Sequence, residues 1–245
     1  MNRSKAKVLG VLVAILTFML PSTSAFAQFE FAPVAGAGVF SAKSTIKPGF
    51  TTDLGVSARY TFFPHGVVSF QARLDVLYSY QRNTQLTRNL FQNPELKSHL
   101  GFVFDWQDHK LRLPLSLGLR FNEVFNGSLT LRAGAYYQRG IGGKARCTLY
   151  PFENLVTPFE FNTYATESFD VKRADNTVKR LNTIAQNESG FGLLFAADYR
   201  VWDNLELSLY YMGDMTPTWP ILYSNSYIHT SVKPQAFKLG VSYWF

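Results

Sequence analysis

Residues 110–121 alternate without a break. Leu111, Leu113, Leu115, Leu117, Leu119 and Phe121 share one side, and Lys110, Arg112, Pro114, Ser116, Gly118 and Arg120 share the other. A helix would scatter those leucines around its axis, whereas a period of two collects them on one face of a strand. The same period predicts strands over 30–40, 52–63, 67–81, 128–141, 189–202, 205–214 and 238–245. In the second, Leu54, Val56, Ala58, Tyr60 and Phe62 oppose Asp53, Gly55, Ser57, Arg59 and Thr61. In the last, Leu239, Val241, Tyr243 and Phe245 oppose Lys238, Gly240, Ser242 and Trp244.

Two further regularities choose between a β-sandwich and a barrel. Connections alternate long and short along the chain. Pro64, His65 and Gly66, then 122–127, then Asp203 and Asn204 are brief turns, while 82–109, 142–188 and 216–234 are long. That asymmetry belongs to barrels with short periplasmic turns and extended outer loops. The apolar face also sorts its aromatics by height. Tyr60, Phe62, Phe70, Phe121, Tyr199, Tyr243 and Phe245 gather at one rim, and Tyr78, Tyr80, Tyr137 and Tyr211 at the other. Aromatic girdles at two lipid interfaces explain this sorting. The prediction is an all-β, eight-stranded antiparallel transmembrane β-barrel, an up-and-down meander with both termini periplasmic. Within the connection 82–109, residues 100–106 are expected to extend as a hairpin arm.

The other face of these strands carries both signs of charge: Asp53, Arg59, Arg73, Asp75, Arg112, Arg120, Arg132, Asp198, Arg200, Glu206 and Lys238. An unpaired buried charge is very costly, so these side chains should pair across the lumen. Eight-stranded barrels are just wide enough for side chains to fill. A structural plug of ion pairs is favoured over a conducting or substrate-handling interior.

The N-terminus sets the compartment. Arg3, Lys5 and Lys7 precede an apolar run over 8–20, and Ala25, Phe26 and Ala27 form an A-x-A cleavage site. Residues 1–27 therefore read as a secretory signal peptide, leaving 28–245 as the barrel domain. The formal charge of +7 falls to about +4 without the three leading bases. Such a mild balance gives no reason to expect nucleic acid. Cys147 is the only cysteine, which excludes an intrachain disulfide. Aromatics make up 16% of the chain, high for a water-soluble domain, and no later apolar run suits a membrane helix. The expected location is the outer membrane of a Gram-negative bacterium.

The final strand resembles the C-terminal insertion signal of bacterial outer-membrane barrels, carried here by Lys238, Gly240, Tyr243 and Phe245. The resemblance implies the barrel-assembly machinery and periplasmic chaperones as partners during biogenesis. Lipid and lipopolysaccharide would surround the folded protein. Leu111, Arg112, Leu113, Pro114 and Leu115, with the glycine-rich stretches 35–38, 133–135 and 239–241, resemble the outer-membrane β-barrel domain family that includes PorT-like and OmpA-like barrels. That likeness covers nearly the whole mature chain, apart from the insertions at 82–109 and 142–188. It implies a fold and a connection to type IX secretion in some members, without a catalytic motif.

Three functions are distinguishable. The first is a non-enzymatic barrel that displays extracellular loops, as an accessory of secretion or envelope assembly with a partner there. The second is a lipid-modifying enzyme of the outer membrane. It needs a base, and His109 beside Asp108 is the best candidate, with Ser79 as a neighbouring hydroxyl. The third is a small-solute pore. His65, His99, His109 and His229 do not converge at metal-ligand spacing. No catalytic residue, metal or cofactor is assigned, and Cys147 is read as an ordinary loop residue. The long connection 142–188 carries Phe152, Phe159, Phe161, Tyr164 and Phe169 among Lys172, Arg173, Lys179 and Arg180. These suit either a cap over the barrel or a contact surface.

Overall fold

A computed structural model describes residues 27–41, 48–91, 100–150, 159–172, 178–184, 188–216, 221–223 and 233–245. The predicted signal peptide falls almost wholly outside these residues. The elements are β1 (Ala27–Ser41), β2 (Gly49–Phe62), β3 (Val68–Phe91), β4 (Leu100–Val124), β5 (Gly127–Tyr150), β6 (Phe159–Asn162), β7 (Ser168–Lys172), β8 (Val178–Ile184), β9 (Ser189–Arg200), β10 (Leu205–Asp214), β11 (Ile221–Tyr223) and β12 (Gln235–Tyr243).

Strands β1, β2, β3, β4, β5, β9, β10 and β12 pair in sequence as an antiparallel meander. β12 then returns to β1, with Val34 opposite Ser242, Gly36 opposite Gly240 and Ser41 opposite Gln235. The sheet is therefore a closed eight-stranded barrel with no free edge around its wall. The amide of Trp244 donates to the Asn204 carbonyl at 2.7 Å, and that of Phe245 to Phe31 at 2.8 Å. These bonds tie the last two residues to both neighbouring strands beyond the end of β12.

The alternation of the sequence becomes an inside and an outside. Leu54, Val56, Leu115, Leu117, Leu131, Leu209 and Leu239 are exposed around the waist. Their partners Asp53, Arg59, Arg112, Asp198, Glu206 and Lys238 are buried within. A continuous apolar surface of this extent suits lipid, since a water-soluble monomer rarely exposes such a patch. Rings mark its two edges. Tyr60 and Phe62 meet with ring centroids 4.7 Å apart, and Tyr243 and Phe245 at 5.1 Å, at the short-turn end. Tyr211 and Phe237 meet at 5.0 Å, and Tyr137 and Phe191 at 5.4 Å, at the other.

Three strands, β3, β4 and β5, run further than the alternation predicts. The connection 82–109 is mostly hairpin: β3 and β4 continue to pair as far as Phe91 opposite Leu100. β5 likewise continues to Tyr150 opposite Gly101, so a sheet arm rises beyond the rim. The expected arm over 100–106 is its β4 portion. β6 adds to its edge through Lys144 opposite Asn162. Within 159–223, β7, β8 and β11 form a separate small sheet.

The short turns are equally specific. Val124 pairs with Gly127 across a two-residue loop, in which Phe125 has φ 49° and Asn126 φ 63°. Positive φ at both central positions is the hairpin turn whose twist matches the flanking strands. Glu123, at φ 62°, is the extra residue where the β4–β5 register shifts.

Candidate functional site

Among the described residues, the lumen is where this fold gathers its buried charged side chains. It is stacked in tiers, each delivered by every second residue of several strands.

The tier nearest the short turns is ionic. Arg59 donates Nε to Glu30 at 2.9 Å and Nη1 to Glu206 at 2.6 Å. Arg73 reaches the other Glu206 oxygen at 2.8 Å and Asp75 at 2.8 Å. Arg132 pairs with Asp198 and lies 3.8 Å from Asp75. Arg200 donates to the second oxygen of Glu30 at 2.7 Å. Trp244 closes this tier from beneath, with the Arg59 guanidinium 3.6 Å from its ring centroid. A cation held flat over an indole gains about 0.5–2 kcal/mol.

Leu77, Leu194 and Met212 form an apolar layer above it. The next tier is again charged. Lys238 reaches Asp53 at 2.6 Å, and Asp53 also accepts from Tyr210 at 2.9 Å and Ser79 at 2.5 Å. Arg112 lies 3.9 Å from Asp53 and donates to Gln138 at 3.2 Å. Gln138 in turn donates to Asp214 at 2.9 Å, where the Tyr136 hydroxyl also donates. The void between the tiers is about 20 Å³, lined in part by Leu77, Pro114, Leu194 and Met212. That is room for about one water molecule.

The long-loop mouth is stoppered. Trp106, Phe40, Ala145 and Phe161 are buried there, with the Phe40 and Trp106 rings 5.8 Å apart. Lys110 lies 3.2 Å from Asp108, and the Tyr164 hydroxyl donates to Asp108 at 2.5 Å. Burial, then the Asp108 carboxylate, push the Tyr164 phenol up, so it remains a donor. Phe161 and Tyr164 of the long connection 142–188 thus turn into the barrel. Phe152 and Arg173 lie outside the described residues, and nothing is described of the side chains of Cys147, Phe159, Phe169, Lys172, Lys179 or Arg180.

All the charged residues expected inside lie on the inner face, but one differs in its pairing. Among the described residues Arg120 makes no ion pair within 4.0 Å and instead donates Nε to Ser128 at 3.0 Å. It sits where the barrel opens, and the acid that would reach it, Glu30, is taken by Arg59 and Arg200. Glu30, Asp108, Lys110 and Asp214 are further lumen charges beyond those expected from the sequence. Glu30 begins a predicted strand and Asp214 ends one, whereas Asp108 falls in the predicted connection 82–109 and lies within β4 in the structure. Lys110 shares its face with Arg112, a signal that was available.

The proposed base and hydroxyl do not meet. Ser79 is fully buried in the lumen, whereas His109 points to the outer face. There His109 Nδ1 and the Tyr78 hydroxyl are 2.5 Å apart, and the imidazole lies 5.2 Å from the Tyr80 ring. Ser79 is registered against Lys110 and His109 against Tyr80, so alternation puts the two on opposite sides of the wall. Of the expected insertion signal, Lys238 and Gly240 face inward, while Tyr243 and Phe245 are exposed at the short-turn rim.

No family model matches the chain, and no curated protein matches it. Among solved structures, Neisserial surface protein A is 14% identical, with 89% of this chain and 97% of that chain covered at a TM-score of 0.40. The attachment invasion locus protein Ail of Yersinia pestis is 12% identical, covering 90% and 99% at a TM-score of 0.35. A de novo designed transmembrane β-barrel is 16% identical, covering 88% and 95% at a TM-score of 0.27. The likeness is one of barrel architecture. It gives no support to the PorT-like or OmpA-like resemblance in particular.

Proposed function

We infer that this protein is an integral β-barrel of the outer membrane of a Gram-negative bacterium that conducts no solute and acts through what it displays beyond its long-loop rim. The observation that carries this reading is the filled lumen: two ionic tiers, an apolar layer and an aromatic stopper around a void of about 20 Å³. A barrel so closed gives up transport, while the β3–β4–β5 arm continues past the wall. The role is non-enzymatic. Ser79 and His109 occupy opposite faces, and the buried carboxylates are already engaged by arginine, lysine or tyrosine. The arm and the connections around it face the cell exterior, among lipopolysaccharide. They serve an envelope or secretion partner, in the manner the PorT-like resemblance implies. Residues 1–27 direct export, and the barrel-assembly machinery and periplasmic chaperones deliver the chain through its terminal strand.

Planar-bilayer recording tests the central point. The reconstituted protein should give no stable, large open channel. A reproducible wide conductance from the wild-type chain would refute a lumen closed by ion pairs.

A further inference from the structure

The short-turn mouth is open. A cavity of about 580 Å³ lies there, lined among others by Arg120, Ser128, Arg200 and Trp202, with the exposed acids Glu123 and Asp203 on its wall. Every other base on the described inner face of the barrel has a carboxylate within 4.0 Å. Arg120 has none. Its Nε is spent on Ser128, which leaves both terminal nitrogens of the guanidinium without an acceptor among the described residues. Arg200 gives Nη2 to Glu30, and its buried Nε has no hydrogen-bond partner. Glu30 is already divided between Arg59 and Arg200, and Glu206 between Arg59 and Arg73. Neither Glu123 nor Asp203 makes an ion pair with Arg120 or Arg200 within 4.0 Å. The Arg120 guanidinium therefore carries a charge that no carboxylate among the described residues meets within 4.0 Å.

We propose that this mouth is a binding site for a carboxylate, received by the terminal nitrogens of Arg120 with Arg200 alongside. The planar fork of a guanidinium matches the two oxygens of a carboxylate. A phosphate dianion offers similar oxygens, but the acids Glu123 and Asp203 share the cavity wall and select for a single negative charge. The cavity is far larger than one carboxylate. It takes the acidic end of a bigger molecule, whose remainder lies towards the opening and Trp202. The site is at the end of the barrel opposite the arm, so it stands or falls independently of the display role.

Acetate serves as the probe, with the full mature chain folded in neutral micelles. Trp202 lines the cavity and is largely exposed, so its indole N–H resonance reports occupancy. Acetate should shift that resonance saturably, and chloride at equal ionic strength should not. Arg120→Gln should weaken acetate binding by roughly tenfold or more, and Arg120→Lys, which keeps the charge without the fork, by less. If Arg120→Gln fails to fold, Ser128→Ala supplies the same comparison by releasing the hydrogen bond that orients Arg120. Absence of a saturable shift, or equal affinity in the folded variants, would overturn the site. Tighter binding of phosphate than of acetate would overturn its assignment to a carboxylate.

Discussion

Arg59 and Arg73 stand directly opposite one another in the β2–β3 register, and Glu206 separates their charges by giving one oxygen to each. Like charges in directly opposed positions destabilise a sheet. Here the pair is tolerated because an acid from β10, far along the chain, reaches across the lumen. Glu206→Gln keeps the shape and removes the charge. Two buried arginines would then face each other with one carboxylate fewer. Removing one partner of a buried ionic group costs about 3–5 kcal/mol. Urea unfolding of the protein refolded in micelles should show a loss of that order. A loss below about 1 kcal/mol would mean that water already screens this tier.

Gly36 of β1 and Gly240 of β12 leave room for a tyrosine. A Cβ on Gly36 would lie 2.1 Å from the Tyr210 hydroxyl, and one on Gly240 3.0 Å from the same ring. Tyr210 cannot simply swing away, because its hydroxyl is held by Asp53 at 2.9 Å. Gly36→Ala should therefore destabilise the barrel by about 1–3 kcal/mol through overpacking. Gly36→Ala combined with Tyr210→Phe should recover part of the loss, since the obstructing oxygen is gone. Additive losses in the double variant would show that the two positions do not touch.

Which parts of this architecture were readable in advance follows from where each signal originates. The membrane forces one face of every wall strand to be apolar, so Leu54 to Phe62 or Leu111 to Phe121 declares a strand by itself. Beyond the rim no such force acts. The backbone ladder of β3 and β4 continues past Arg82 and Gln107, and the period-two signal fades although the strand does not. Charge inside the barrel was legible from the same alternation. The choice of partner was not, because Arg59 meets Glu206 only through the stagger of strands far apart in sequence. Arg120 illustrates the limit: its face was right, but the competition of Arg59 and Arg200 for Glu30 exists only in three dimensions.

The β4–β5 turn places an aromatic in a conformation that suits it poorly. Phe125 has φ 49° and is 90% exposed, so it gains little from packing. Left-handed backbone costs an ordinary L-residue roughly 1–2 kcal/mol, and Asn visits it far more readily. Phe125→Asn should raise stability by roughly 0.5–1 kcal/mol and leave the far-ultraviolet β-sheet spectrum unchanged. Refolding yield and urea midpoint measure it. A marked fall in either would show that the Phe125 ring anchors this end of the barrel in lipid, outweighing its backbone strain.

The arm can be separated from the wall at a definite point. Asn83 lies opposite Trp106, and both side chains are buried in the stopper of the long-loop mouth. One step further, Arg82 and Asp105 form an exposed ion pair at 3.1 Å, of the kind that contributes at most about 1 kcal/mol. Replacing residues 85–104 by an Asn-Gly turn therefore removes the projecting hairpin while Asn83 and Trp106 keep their places in the stopper. The shortened chain should still reach the outer membrane, keep the heat-dependent gel mobility of a folded barrel, and remain closed to ions. Its biological role should be lost, and protease applied to intact cells should cut the wild-type arm but find nothing equivalent in the variant. A shortened barrel that complements a deletion strain fully would place the function elsewhere. A wild-type arm cut only after cell lysis would reverse the proposed orientation.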